Sequence, residues 1–171
     1  MNISPKSLLP LLFLAACAGP SNQATPAPAE GTVICTTDDA RSVKVAEFLD
    51  QYATGDLSFA DQLFTEDARF YWSTNESSFG LAEWREGITQ QHSVFKEIEM
   101  IDRVITTGEY PDGITWTTVW AEWQALNQST NERSSYLIHL AYKWEGDAVV
   151  AEYGFFDRGR YTAEMEAALG G

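Results

Sequence analysis

The chain is short of the residues that most often carry chemistry in a protein of 171 residues. It has two cysteines, two histidines, and 11 Lys and Arg against 25 Asp and Glu. With only Cys17 and Cys35 there is no disulfide framework and no thiolate metal site. His92 and His139 fall on different predicted elements without clustered acidic partners, so no metal is expected. The shortage of basic residues leaves a formal net charge of −14 and no basic stripe for phosphate, which removes nucleic acid from the expected partners. An anionic membrane surface repels such a domain as well, and the acidity argues mainly for solubility. No glycine-rich phosphate loop and no nucleophile with a partner base is present, and no cofactor is expected. Apolar runs are also short. The segment Leu8 to Ala16 contains Pro10 and falls well below the roughly 20 residues of a membrane-spanning helix.

What is present begins with a leader. "MNISPKSLLPLLFLAACAGP" has one positive charge at Lys6, an apolar segment, and small residues before Cys17, the pattern of a secretory signal peptide over residues 1–16. "LAAC", Leu14 to Cys17, resembles the lipobox of bacterial lipoproteins, which implies lipidation of Cys17, a membrane anchor and a domain held outside the cytoplasm at the cell envelope. The alternative is a secreted protein cut near Ala16 or Ala18. "AGPSNQATPAPAEGT" has no apolar period on which to build a core and reads as a disordered tether, so that residues 17–35 link the anchor to one domain over 36–171. Cys35, at that junction, has no assigned role.

The folded part divides into helices first and strands last. "TTDDARSVKVAEFLDQYATGD" opens on capping residues, places Val45, Phe48, Leu49 and Tyr52 at helical spacing, and stops at Gly55. "LSFADQLF" reads as a stubby second helix and "ARFYWST" as a strand. "GLAEWREGITQQHSVF" gives a third helix with Trp84, Ile88, His92 and Phe95 as its stripe. Four β-segments follow: "EIEMIDRVITTG", "ITWTTVWAEWQAL", "RSSYLIHLAYKW" and "AVVAEYGFFD". This order predicts an α+β domain with helices covering one face of a mostly antiparallel sheet.

"GDLSFADQLFTEDARFYW", "GLAEWREGI" and "EGDAVVAEYGFFD" resemble, in order and spacing, landmarks of the nuclear transport factor 2-like superfamily, closest to its SnoaL-like and ketosteroid isomerase branches. The resemblance implies a cone, with three helices packed on a strongly curved sheet around an apolar cavity, often in a homodimer through the outer sheet face. Such cones serve enzymes and binding proteins alike. In the isomerase pattern the tyrosine falls at Phe48, the base at Trp72 and the second acid near Leu140. None of these can take a proton or stabilise an oxyanion, so that chemistry is not expected.

The same comparison sets the inward parity. It selects Phe48, Tyr52, Trp84, Ile88 and His92 from the helices. From the sheet it selects Phe70 and Trp72; Trp116, Thr118, Trp120 and Glu122; Tyr136, Ile138, Leu140, Tyr142 and Trp144; and Val150, Glu152, Gly154 and Phe156. The expected lining is aromatic with His92, Glu122 and Glu152 as candidate acid–base groups; desolvation would raise the Glu152 pKa, and His92 needs little tuning. The bland readings are a helix-end role for His92 and a solvated strand end for Glu122. Asp157, on the opposite parity, is expected to end the last strand and pair with an arginine. His139 is expected on the outer face, and Trp123 on the same outer parity as Tyr153 and Phe155, where it would mark a subunit interface. Three functions compete: an envelope lipoprotein binding a small apolar or aromatic molecule; a lyase, isomerase or hydrolase using His92 and Glu152; and a non-catalytic interaction module using the outer sheet.

Overall fold

The structure is a computed structural model that describes residues 31–73 and 76–170. Cys17, the expected leader and most of the expected tether lie outside the described residues. In chain order the elements are β1 (Cys35–Thr36), α1 (Ala40–Thr54), α2 (Ala60–Leu63), β2 (Phe64–Trp72), β3 (Phe79–Gly80), α3 (Leu81–Val94), β4 (Phe95–Glu109), β5 (Thr115–Asn127), β6 (Arg133–Glu145), β7 (Ala148–Phe155) and α4 (Arg158–Leu169). The strands form one sheet in the order β1-β4-β5-β6-β7-β2-β3, antiparallel except for the β2–β7 pair. Cys35, expected in the tether, pairs with Gly108 at the edge of this sheet.

Local chemistry accounts for the helix ends. Asp39 caps α1 by accepting from the Arg41 N–H at 2.8 Å, and Gly55 ends it with φ 82°, a left-handed conformation that costs glycine little. Val45, Phe48, Leu49 and Tyr52 are buried along one face of this helix. In α3 the Glu83 carboxylate accepts the Gly80 N–H at 2.9 Å. A fourth helix, α4, departs from the expected three. Asp157 starts it by accepting the Arg160 N–H at 3.1 Å, so this acid is a helix cap rather than a strand-ending ion-pair partner.

The curvature has an identifiable source. Strand β4 shifts register against β5 between Lys96 and Glu99 and again between Ile101 and Val104. Glu97 and Asp102, inside those two shifts, have φ of 52° and 51°. Each is a bulge that adds a residue to one strand and bends it, so two in succession curl the sheet around the helices. The core fills the concave side, where Phe48, Leu63, Phe64, Phe70, Trp84 and Tyr142 are all buried. A buried polar chain runs from Ser42 to Thr107 (2.8 Å), Thr117 (2.7 Å) and the Trp144 indole (2.9 Å), satisfying its own donors. Among the described residues no helix is long and apolar enough to cross a membrane.

Two parity expectations are corrected. In β5 the buried set is Thr117, Val119, Ala121, Trp123 and Ala125. Trp116, Trp120 and Glu122 therefore face outward, and Trp123 faces the core rather than a subunit interface. In β7 a register shift between Lys143 and Trp144 sets Val149 opposite Trp144, and Val149 rather than Val150 is fully buried. From Glu152 onward the expected alternation holds, with Glu152 and Gly154 buried and Phe155 exposed.

Candidate functional site

Between the helices and the concave sheet lies a cavity of about 80 Å³, measured as the space open to the centre of a water-sized sphere. Helix α1 contributes Phe48, Leu49 and Tyr52; α3 contributes Trp84, Ile88 and Gln91. The sheet supplies Trp72, Met100, Trp123, Tyr136, Ile138, Leu140, Tyr142 and Glu152, and the chain beyond it Phe156 and Tyr161. Trp72 and Tyr161 also border a wider surface hollow beside α3 and α4, so these two rings stand between cavity and exterior.

Among the described residues Glu152 is the only carboxyl in this lining, which has no lysine, arginine or histidine, and it is 4 % exposed. Burial pushes its carboxyl up to about 7, partly opposed by hydrogen bonding from Trp72 and Tyr142. The Trp72 indole N–H points at the carboxylate with Nε1 at 3.4 Å from Oε1. Gly154 makes this approach possible: a Cβ there would lie 3.2 Å from Trp72 Cδ1 and 3.4 Å from Leu140 Cδ2. The Tyr142 hydroxyl is close enough to influence the carboxyl, yet it is fully buried without a well-formed hydrogen bond. Burial first, and then the Glu152 charge, hold that phenol well above its ordinary pKa. A neutral tyrosine O–H beside a readily protonated carboxyl is a proton-donating pair in an otherwise apolar space.

Most of the remaining polar side chains bond to one another, while the Tyr136 hydroxyl is buried without a well-formed hydrogen bond. Trp123 donates to the Tyr52 hydroxyl at 2.9 Å, Tyr52 donates to Gln91 Oε1 at 2.5 Å, and Gln91 donates to the Tyr161 hydroxyl at 3.3 Å. Tyr52 is raised, chiefly by burial, and Tyr161 is pushed up to about 12 for the same reason.

The other sequence-predicted groups lie elsewhere. His92 does not line the cavity; its ring is edge-on to Tyr52 at 5.8 Å and lies against Gly55 at the end of α1. Burial lowers its pKa, and Nε2 is buried without a partner. At 3.6 residues per turn, position 91 returns to within about 20° of Trp84 whereas position 92 is about 80° away, so Gln91 takes the inward place. Glu122, on the outer face, accepts from Ser135 at 2.5 Å and Gln124 at 2.7 Å, which lower its pKa. Trp116 packs near Tyr153, and Trp120 stacks on His139 with centroids 4.1 Å apart. Leu49, Gln91, Met100, Trp123 and Tyr161 are lining residues that the sequence reading did not place there. Among the described residues no group of three or more His, Cys, Asp or Glu could hold a metal ion.

This architecture, a strongly curved sheet with helices packed on its concave side, is the SnoaL-like, nuclear transport factor 2-like fold. Among solved structures, it is similar to a candidate polyketide cyclase from Xanthomonas campestris pv. campestris, at 10% identity and TM-score 0.60 over 73% of this chain and 96% of that one. A candidate SnoaL-like polyketide cyclase from Jannaschia sp. CCS1 aligns at 12% identity and TM-score 0.59, covering 74% of this chain and 92% of that one. A protein of ketosteroid isomerase-like fold from Catenulispora acidiphila, solved with trimethylamine, aligns at 9% identity and TM-score 0.54 over 71% of this chain and 91% of that one. No protein-family model matches the sequence, and no curated protein matches it.

Proposed function

We propose that the domain binds a small, mainly apolar organic molecule in the cone, with Glu152 as its one ionisable contact. The observation that carries this is the buried Glu152 carboxyl beside a Tyr142 hydroxyl that lacks a well-formed hydrogen bond, within walls that are mainly aromatic and aliphatic. Burying such groups without good partners is costly, and a ligand offers the missing contacts. The cavity volume lies well below the roughly 300–1,000 Å³ of sites for drug-sized ligands, so the ligand is small. The trimethylamine held by one protein of this fold is of a size suited to such a space. Fluorine NMR of the purified domain with a library of small fluorinated compounds tests the reading. Binding is expected in the wild type and lost in the cavity-filling Leu140→Trp variant. No binding, or binding indifferent to Leu140→Trp in a folded protein, overturns it.

A second reading is proton transfer by Glu152 alone, favoured by a carboxyl poised near neutrality next to a tyrosine donor. His92 has no part in it. Phe48, Trp72 and Leu140 all line the cavity, so the expected isomerase positions are occupied by groups that cannot perform that chemistry. Turnover abolished by Glu152→Gln with ligand binding retained would support this reading over simple binding.

Anchoring at the cell envelope through a lipidated Cys17 is likewise a proposal and rests on the leader pattern. Intact mass of the membrane fraction tests it: acyl chains on Cys17 are expected, and an unmodified cysteine excludes it. Self-association through the outer sheet face is supported by the exposure of Trp120 (60%), Leu137 (81%) and Phe155 (50%), which cluster around His139 on adjacent strands.

A further inference from the structure

We propose that the molecule held in the cone is a small organic cation of the alkylammonium class, its charge met by the Glu152 carboxylate and its carbon groups by aromatic rings. This rests on the reading of the cavity as a small-molecule site.

The cavity's polarity is one-sided. Among the described residues Glu152 is its only charged side chain, and no lysine, arginine or histidine lines it. Three of the N–H donors that could serve an anion are already directed elsewhere: the Trp72 N–H at Glu152, the Trp123 N–H at Tyr52, and the Gln91 amide at Tyr161. The Tyr142 and Tyr136 hydroxyls lack well-formed hydrogen bonds, and that of Tyr142 lies beside the carboxyl. An anionic guest would meet a carboxylate and no countercharge. A cation would supply the one thing a buried carboxylate lacks, an opposite charge held in a low-dielectric space.

The walls suit the same guest. Nine of the sixteen lining residues are aromatic. Aromatic faces attract alkylammonium ions, and desolvation strengthens that attraction. At longer range, a formal charge of −14 favours the approach of cations over anions.

The titratable groups that line the cavity with Glu152 are tyrosines: Tyr142 and Tyr136 on β6, Tyr52 on α1 and Tyr161 on α4. All four are raised and stay neutral around pH 7. β2 presents Phe70 and Trp72, and α3 presents Ile88 and Gln91, neither pair titratable; His92, also on α3, lies outside the cavity. Between about pH 6 and pH 8, Glu152 is therefore the group in the cavity whose charge changes.

Isothermal titration of the full domain with choline and with 3,3-dimethyl-1-butanol, its uncharged isostere, decides the matter. Choline is expected to bind more tightly than the alcohol. Its affinity should rise about tenfold from pH 6 to pH 8, because the competent, ionised fraction of Glu152 rises by that factor. Choline binding near pH 6.5 should also release protons in the wild type, a readout that needs no variant. Glu152→Gln, with its fold checked by near-UV circular dichroism, should lose choline and keep the alcohol. Equal binding of the two compounds without pH dependence, or choline retained by Glu152→Gln, overturns the cation and leaves the small-molecule site standing. Binding of neither overturns both.

Discussion

The Trp72 indole reaches Glu152 across the parallel β2–β7 pair, in a register that sets Phe70 beside Glu152 and Trp72 beside Gly154. The ring crosses the neighbouring strand where a side chain is missing, and so brings a donor to the buried acid.

That geometry makes Gly154→Ala a sharp test. The added Cβ would meet Trp72 and Leu140 at 3.2 and 3.4 Å. Overpacking of this kind costs about 1–3 kcal/mol, so urea denaturation should show a loss in that range. The variant should also weaken ligand binding, because Trp72 must move off the carboxyl.

Glu152 gives the protein a characteristic pH dependence. Its carboxyl stands near 7 in the folded protein against an ordinary value of 4.5, so the folded state holds the proton more tightly than the unfolded one. Stability from this group is complete below about pH 4.5 and is lost as pH rises to about 7, by roughly 3 kcal/mol. Urea titrations of wild type and Glu152→Gln across this range should diverge by that amount, the variant becoming relatively more stable as pH rises. Parallel curves would show that the carboxyl is not desolvated.

His92 and Glu152 should separate cleanly. His92→Ala removes a ring lying against Gly55 and Tyr52 and is expected to cost about 1 kcal/mol or more of stability. Ligand affinity should change less than threefold in the same calorimetric assay. A tenfold loss in a fully folded His92 variant would return this residue to the site.

The two faces of β5 can be told apart by mutation. Trp123→Ala empties part of the core and should destabilise the fold by about 3–5 kcal/mol. Trp120→Ala and Leu137→Glu alter exposed positions and should leave stability nearly unchanged while converting a dimer to a monomer in sedimentation velocity. A wild-type monomer at micromolar concentration would remove the interface proposal.

Much of this architecture is legible in the sequence because helices and strands write different periods. Val45, Phe48, Leu49 and Tyr52 mark α1, and Glu152 and Gly154 alternate with Tyr153 and Phe155 on β7 as a one-faced strand must. Strand β5 was harder, since tryptophan occurs on both of its faces: Trp116 and Trp120 outside, Trp123 inside. The polar residues carried the signal, because Glu122 and Gln124 share the outer face while Val119, Ala121 and Ala125 share the inner one. Helix α4 left a weaker trace. It buries Met165, and Tyr161 and Ala168 in part, too few positions to write a stripe, and Asp157 is as good a strand end as a helix cap. The bulges at Glu97 and Asp102 depend on tertiary bending and have no glycine to announce them.

The parallel joint between β2 and β7 bears on how the chain reaches its native form. β2 leaves the ribosome about 80 residues before the strand it must pair with, and until then its inner edge has no partner. Completion of the curved sheet, and with it the burial of Glu152, waits for nearly the whole polypeptide. A chain delivered from its N-terminus would thus keep an incomplete interior until the last strand became available.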